Sequence, residues 1–131
     1  MLAQAKKLNG DDKIVYSLHG DGELQEGQNW EAIMYASAKK VDNIICTIDL
    51  NEKQIDGTTD EVLAMGSIRA KFEAFDWDVI DVEKGNDIEA ILAGLAEAKA
   101  LTRKRKTSLY FITYRNGEWC RLYDAYTCLA W

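Results

Sequence analysis

The chain has 131 residues and a formal net charge of −6, with one histidine, three cysteines and no proline. This length allows one domain at most, and the acidic balance argues against a general affinity for nucleic acid. No stretch is long and apolar enough to span a membrane, and the cysteines lack the spacing of a metal site, so we expect a reduced, cytoplasmic protein without a membrane partner.

The first half of the chain has the pattern of a strand, a helix and a second strand. Residues 2–8 are typical of a helix that ends at Asn9-Gly10, and residues 13–18 and 43–50 are typical of short strands. Both strands are apolar with little alternation, which indicates a parallel sheet buried on both faces. Between them, residues 27–40 predict a helix. The apolar side chains at helical spacing are Trp30, Ile33, Met34, Ala38 and Val41.

The second half of the chain continues this alternation. Residues 57–66 predict a loop, residues 67–75 an amphipathic helix and residues 78–82 a third strand. A longer helix is predicted over residues 86–101, with Asn86 or Asp87 as its N-cap. Strands that alternate with helices in this way predict an α/β fold of three layers, with a mostly parallel sheet between flanking helices.

Polar residues follow two of the predicted strands at the point where each strand ends. Gly20-Asp21-Gly22 comes after the first strand, and Asn51 comes after the second. The carboxyl ends of parallel strands form the edge where open α/β sheets bind ligands. A glycine-aspartate-glycine triplet alone is more often a tight turn between a strand and a helix. The added asparagine, one strand–helix–strand unit later, makes a ligand site the more specific interpretation.

The residue types at this edge suit a diphosphate bridged by Mg²⁺. This ion prefers an octahedron of oxygens and is usually held by a few protein ligands together with substrate phosphates. Asp21 offers a carboxylate oxygen, Asn51 an amide oxygen, and a backbone carbonyl at residues 52–54 offers a third. Gly20 and Gly22 have no Cβ, so the backbone N–H groups can approach a phosphate.

Two stretches of the sequence resemble a known family. Residues 20–32 (GDGELQEGQNWEA) and 49–57 (DLNEKQIDG) resemble the thiamine-diphosphate-binding region of transketolase. The resemblance is closest to the N-terminal part, or the N-terminal subunit, of the bacterial split form. It implies an incomplete thiamine-diphosphate-binding fold, with thiamine diphosphate and Mg²⁺ as cofactors.

The resemblance also implies roles for particular residues, taken position by position. The Mg²⁺ ligands would be Asp21, Asn51 and the carbonyl of Lys53. Ile55 matches an apolar residue near the thiazolium ring, and Glu26 matches an acidic residue near the cofactor and the subunit interface. The full set of residues expected to bind cofactor is Gly20, Asp21, Gly22, Glu26, Asn51 and Ile55. No catalytic residue is assigned in this chain.

Two positions depart from the family pattern without removing a proposed ligand. His19 occupies a position where the family usually has an apolar residue or glycine, and Leu50 replaces the first asparagine of a more general motif. His19 is the only histidine and immediately precedes the triplet, which suggests a catalytic role. We instead expect a structural residue at the end of the strand, because the family histidines that contact the sugar come from other segments.

By resemblance, the intact enzyme transfers a two-carbon ketol group between sugar phosphates, as in the pentose phosphate pathway. Its partners would be sugar-phosphate substrates, a C-terminal transketolase half or subunit, and a further copy in a homo-oligomer. The glutamate that activates the aminopyrimidine ring lies, in the family, on a different domain of the partner subunit. We therefore expect this chain alone to be inactive.

Two other classes of function remain open. The chain could belong to another thiamine-diphosphate enzyme, either a 2-oxo-acid dehydrogenase component or a deoxyxylulose phosphate synthase, although LQEGQNWEA and QIDG argue against both. It could also be a noncatalytic module that binds a diphosphate. The sequence lacks the glycine fingerprint of dinucleotide-binding folds and the lysine motif of the P-loop.

The composition changes abruptly near residue 102. Residues 1–102 contain 10 basic and 20 acidic residues, whereas residues 103–131 contain 6 basic and 2 acidic ones. We interpret residues 1–102 as the cofactor-binding core and residues 103–131 as an out-of-frame translation after a one-base shift. The shifted frame permits GNGVDFM and WHG, which resemble the family there. The alternative is a genuine divergent tail with a strand at residues 108–114.

Overall fold

The computed structural model describes residues 1–102 and the backbone of residues 108–113. Four elements form its first half: helix α1 (Leu2–Leu8), strand β1 (Val15–Gly20), helix α2 (Gly27–Ala38) and strand β2 (Ile44–Leu50). A hairpin of β3 (Lys53–Gln54) and β4 (Gly57–Thr58) follows. The remaining elements are α3 (Thr59–Leu63), α4 (Ile68–Ala74), β5 (Asp78–Val82), α5 (Ile88–Leu101) and β6 (Ser108–Thr113).

The central feature is a parallel sheet of four strands in the order β1-β2-β6-β5. The last strand in sequence, β6, lies between β2 and β5, so helix α5 connects two neighbouring strands. The predicted α/β fold is confirmed, and β6 lies where the alternative of a genuine tail has a strand. In the register of the sheet, Gly20 is opposite Asp49, so β1 and β2 end at the same edge.

Helices cover both faces of the sheet, which gives the three predicted layers. One face packs against α2 and α4 through buried side chains that include Ile33, Cys46, Ile48 and Phe72. The opposite face packs against α5, where Ile45 and Ala98 are fully buried. A residue and its neighbour in β2 therefore point to different cores, which explains why this strand is apolar without alternation.

The first strand and the first long helix differ from their predicted limits by two residues. Strand β1 begins at Val15, and just before it the side chain of Asp11 accepts a hydrogen bond from the N–H of Lys13. The strand extends to Gly20 because β2 continues beside it. Helix α2 ends at Ala38 rather than residue 40, since Lys40 has a left-handed backbone with a φ of +51°.

Of the apolar residues at helical spacing, Met34 and Ala38 are exposed, whereas Ile33 and the nearby Ala36 are buried. One prediction about local structure is wrong. Residues 57–66 are not simply a loop, because they contain β4 and helix α3. Thr58 and Glu61 form a capping box at the start of α3, a signal that the sequence carries at the usual spacing.

The other helical predictions are confirmed. Helix α1 ends at Leu8 before Asn9, and α4 begins after Ser67, whose side chain accepts a hydrogen bond from the N–H of Ala70. Asp87 is the N-cap of α5 and accepts from the N–H of Glu89. Within the described residues, none of the helices has both the length and the apolar character needed to cross a bilayer.

Candidate functional site

Two loops at the carboxyl edge of the sheet meet at Asp21. This residue directly follows β1 and is almost completely buried, at 2% exposure. Its carboxylate accepts one hydrogen bond from the N–H of Gly22 (2.8 Å) and one from the N–H of Glu52 (2.7 Å). Its own N–H donates to the carbonyl of Asp49 (3.1 Å). Asp21 therefore joins the loop after β1 to the loop after β2.

The loop after β2 is shaped by Asn51 and by the backbone of Glu52. The side-chain oxygen of Asn51 accepts a hydrogen bond from the N–H of Lys53 (2.8 Å), and its Nδ2 donates to Oδ2 of Asp49 (3.4 Å). Glu52 has a φ of +59°, a left-handed conformation that is uncommon outside glycine and asparagine. This turn directs the N–H of Glu52 to the buried carboxylate of Asp21.

Gly22 lies directly against the side chain of Gln54. A Cβ at Gly22 would stand 2.9 Å from Oε1 of Gln54, closer than real Cβ atoms approach, and 3.1 Å from Cβ of Gln54, which is an unusually tight contact. Gln54 belongs to β3, which pairs with β4 in an antiparallel hairpin. Glycine at this position is therefore what allows the hairpin to approach the turn after β1.

We expect Gly22→Ala to destabilise the chain by about 1–3 kcal/mol, because the added methyl group must displace the side chain of Gln54, including its Cβ. The matched control is Gly27→Ala, where nothing lies within 4 Å of the new Cβ and the position is the first of a helix. The control should change stability by less than about 0.5 kcal/mol. Urea unfolding of the two variants checks this, and equal effects would contradict the close approach.

Two carboxyl groups at this edge are held in surroundings that disfavour their charge. Burial raises the pKa of Asp21, against the lowering effect of its hydrogen bonds from the N–H groups of Glu52 and Gly22. Burial also raises the pKa of Asp49, the side chain of Asn51 lowers it, and the nearby charge of Asp21 raises it further. The hydrogen bonds within the site therefore do not fully stabilise the negative charges of these two carboxylates.

These shifts predict how stability depends on pH in the absence of metal. A carboxyl group whose pKa is raised by folding stabilises the protein at low pH, and this contribution is lost as the pH rises through the folded pKa. Asp49→Asn removes one such group. In EDTA, we expect the difference in melting temperature, variant minus natural chain, to become more positive as the pH rises from about 4 to about 7. A difference that stays constant over this range would contradict the raised pKa of Asp49.

The remaining predicted residues lie around this cluster. Gly20 is the last residue of β1, and a Cβ added there would meet no atom within 4 Å. Glu26 is exposed at the N-cap of α2, and Ile55 is 93% exposed at the turn of the hairpin. The residues that the structure brings together are Asp21, Gly22, Asn51 and the backbone of Lys53.

His19 lies near the end of β1, as expected for a strand-end residue. Its Nδ1 is 2.8 Å from Oε1 of Glu23, and its ring lines a small cavity together with Ser17 and Cys46. Burial raises the pKa of the Cys46 thiol to about 11, so this thiol is protonated and unreactive at neutral pH. The structural role of His19 stays a prediction.

The donors at this edge fit a hard divalent cation that carries further ligands of its own. Each carboxylate oxygen of Asp21 keeps a lone pair after its bond from a backbone N–H. Oδ1 of Asp49 is buried and has no hydrogen-bond partner among the described residues. The described residues contain no group of three or more His, Cys, Asp and Glu side chains arranged to hold a metal. A cation here would therefore need amide, carbonyl and phosphate oxygens, which is the usual situation of Mg²⁺.

Comparison with known families identifies the domain. The profile described as "Transketolase, thiamine diphosphate binding domain" matches residues 3–115, which is most of the chain. The chain belongs to the transketolase family. The match includes both loops that meet at Asp21, and it confirms the family predicted from the stretches at residues 20–32 and 49–57.

Individual members of the transketolase family agree with this assignment. A transketolase family protein of Sinorhizobium fredii is 42% identical over 98 residues, which cover 75% of this chain and 35% of that protein. One subunit of the apulose-4-phosphate transketolase of Phocaeicola vulgatus is 42% identical over 91 residues, covering 70% of this chain and 32% of that relative. The chain thus spans about a third of the length of these curated relatives.

Solved transketolase structures have the same fold over the matched region. The transketolase of Leishmania mexicana superimposes with a TM-score of 0.72 at 33% sequence identity. The superposition covers 86% of this chain and 17% of that transketolase. The parallel sheet and its flanking helices are therefore those of a transketolase domain.

Three residues shape the site through contacts that were not predicted from the sequence. Asp49 contacts both Asp21 and Asn51, Glu52 supplies an N–H to Asp21, and Gln54 packs on Gly22. A charged residue at the end of an otherwise apolar strand was a signal for Asp49. The left-handed backbone of Glu52 and the contact of Gln54 have no equivalent signal in the sequence.

Proposed function

We propose that the chain binds the diphosphate of thiamine diphosphate through a Mg²⁺ ion at the carboxyl edge of the sheet. The observation that supports this most is that Asp21 and Asn51, from adjacent strand ends, lie in one hydrogen-bonded arrangement. Asp21, Asn51 and the carbonyl of Lys53 are the protein ligands in this proposal. The bound cofactor supplies the carbanion chemistry that side chains lack.

The proposal assigns the other residues to parts of the cofactor. Gly20 and Gly22 give the diphosphate access to the backbone, because a Cβ at Gly22 would fill the space against Gln54. Ile55 contacts the thiazolium ring, and Glu26 lies where the cofactor meets the partner protein. The exposure of Ile55 and Glu26 is consistent with surfaces that a cofactor and a partner cover.

In the whole protein, we propose that this domain serves the transfer of a two-carbon ketol group from a ketose phosphate to an aldose phosphate. The Phocaeicola vulgatus relative is named as one subunit of its transketolase, which supports a C-terminal partner half or subunit for this chain as well. A homo-oligomer in the cytoplasm completes the proposal. The residue that activates the aminopyrimidine ring is expected on another domain, so the 131-residue chain alone is inactive.

The test is a ketol-transfer assay of the 131-residue chain, alone and mixed with the C-terminal half of a split transketolase, with thiamine diphosphate and Mg²⁺ present. No turnover is expected from the chain alone, because it holds the diphosphate but does not activate the ring. Turnover by the isolated chain would refute the division of the site between domains. Any turnover that appears only in the mixture would support it.

We also propose that residues 103–131 arise from out-of-frame translation and that the cofactor site lies within residues 1–102. The change of charge at this boundary supports the frameshift, whereas the family match to residue 115 and the place of β6 between β2 and β5 favour the alternative of a genuine tail. Most of this tail lies outside the described residues. The experiment is to sequence the coding DNA from Ala100 onward. A neighbouring frame that stays open through GNGVDFM and WHG supports the frameshift, and stop codons in that frame overturn it.

A further inference from the structure

Asp49 contacts both loops of the site and has no role in the proposed function. Its backbone carbonyl accepts the N–H of Asp21 (3.1 Å), and its Oδ2 accepts from Nδ2 of Asn51 (3.4 Å). Asp49 therefore touches both residues that are proposed to bind the cation. Because the amide nitrogen of Asn51 donates to Asp49, its oxygen is turned away from this carboxylate, and beside the bond that it accepts from the N–H of Lys53 it keeps one lone pair for a cation.

The second carboxylate oxygen of Asp49 is buried without a partner in the described part of the chain that would explain its burial. Oδ1 is buried and has no hydrogen-bond partner among the described residues. A buried carboxylate oxygen without a donor is costly, and such atoms usually have a ligand or water as their partner. The neighbouring Asp21 adds a second negative charge instead of compensating the first. A divalent cation with bound water would supply both the missing positive charge and the missing donor.

We propose that Asp49 is a positioning residue for the divalent cation: one carboxylate oxygen orients the amide of Asn51, and the other accepts a hydrogen bond from a water molecule on the cation. This inference rests on the proposed function, since it takes Asp21 and Asn51 as the ligands. Side chains that orient metal ligands through hydrogen bonds typically change metal affinity about 10- to 100-fold when they are replaced.

The test measures the affinity of the 131-residue chain for Mn²⁺ by electron paramagnetic resonance of the free ion, with thiamine diphosphate at saturation. Asp49→Asn keeps the shape and removes the charge, and it should weaken Mn²⁺ binding about 10- to 100-fold. The control Asp42→Asn removes a carboxylate at the opposite end of β2, where Asp42 pairs with Lys7. The control should bind Mn²⁺ as the natural chain does.

A second measurement separates positioning from a merely structural role. In metal-free buffer, the melting temperature of Asp49→Asn should equal or exceed that of the natural chain, because the variant removes a partly buried negative charge that lies near Asp21. A structural residue would instead lower both the melting temperature and the affinity. Equal Mn²⁺ affinity in Asp49→Asn and the natural chain would overturn the inference.

A double-variant cycle tests whether Asp49 acts through Asn51. The four proteins are the natural chain, Asp49→Ala, Asn51→Ala and the double variant. Once Asn51 is absent, loss of Asp49 should weaken Mn²⁺ binding much less than it does in the natural chain, and strictly additive effects would overturn the coupling. If the natural chain itself shows no saturable Mn²⁺ binding, the proposed function fails, which is distinct from a failure of Asp49 alone.

Discussion

Asp21→Asn should reduce the Mg²⁺-dependent affinity for thiamine diphosphate by about 100-fold or more, equivalent to about 2.7 kcal/mol. The substitution replaces the charged ligand of the proposed cation by a neutral amide. It also places an NH₂ group where the carboxylate now accepts hydrogen bonds from the N–H groups of Gly22 and Glu52. Isothermal titration calorimetry with thiamine diphosphate in Mg²⁺ buffer measures the change.

The control for this variant is Asp60→Asn. Asp60 is exposed in the first turn of α3, so its replacement removes the same charge from the same region without touching the buried site. Its affinity should equal that of the natural chain. If both variants lose affinity equally, the effect of Asp21 is a general charge effect and the ligand assignment is wrong. If neither loses affinity, Asp21 is a structural residue of the turn.

Phe72→Ala is expected to have the largest effect on stability, a loss of about 3–5 kcal/mol in the free energy of unfolding. Phe72 is 0% exposed, and its ring lies 5.6 Å from that of Trp30 and 5.5 Å from that of Trp77, the latter edge to face. Its removal opens a cavity between α2, α4 and the sheet. A loss of this size is a large share of the roughly 5–15 kcal/mol that stabilises an ordinary domain.

Phe75→Ala is the matched control for the core prediction. Phe75 carries the same side chain three residues later, at the end of α4, but it is only half-buried and its ring is 6.4 Å from that of Trp30. Urea unfolding should show a clearly smaller loss for Phe75→Ala than for Phe72→Ala. Equal losses would contradict the placement of Phe72 at the centre of this core.

The meeting of Asp21 and Asn51 at the carboxyl edge of the sheet could be predicted from the sequence, because it depends only on topology. Two parallel strands joined by a helix must end on the same side, so Asp21 and Asn51 were expected to meet without knowledge of any contact. The hydrogen bond from Glu52 to Asp21 and the approach of Gln54 to Gly22 are consistent with this. The family assignment rested on the same two segments.

The details of the loop after β2 could not be predicted, because they depend on one backbone angle. Glu52 adopts a left-handed conformation that its residue type does not favour, and this directs its N–H to Asp21. The importance of Asp49 follows from the same loop, since its contact with Asn51 exists only when the chain turns there. Apolar residues at helical spacing predict helix α2 but not which of them face the sheet, so Met34 is exposed and Ala36 is buried.

The most direct test of the account is the binding of thiamine diphosphate to the 131-residue chain, measured by equilibrium dialysis with Mg²⁺ and again with EDTA. We expect saturable binding with Mg²⁺, which is weak because half of the site is expected on a partner, and loss of that binding in EDTA. Binding that survives EDTA, or no binding at any attainable concentration of cofactor, would contradict a metal-bridged diphosphate site at Asp21 and Asn51.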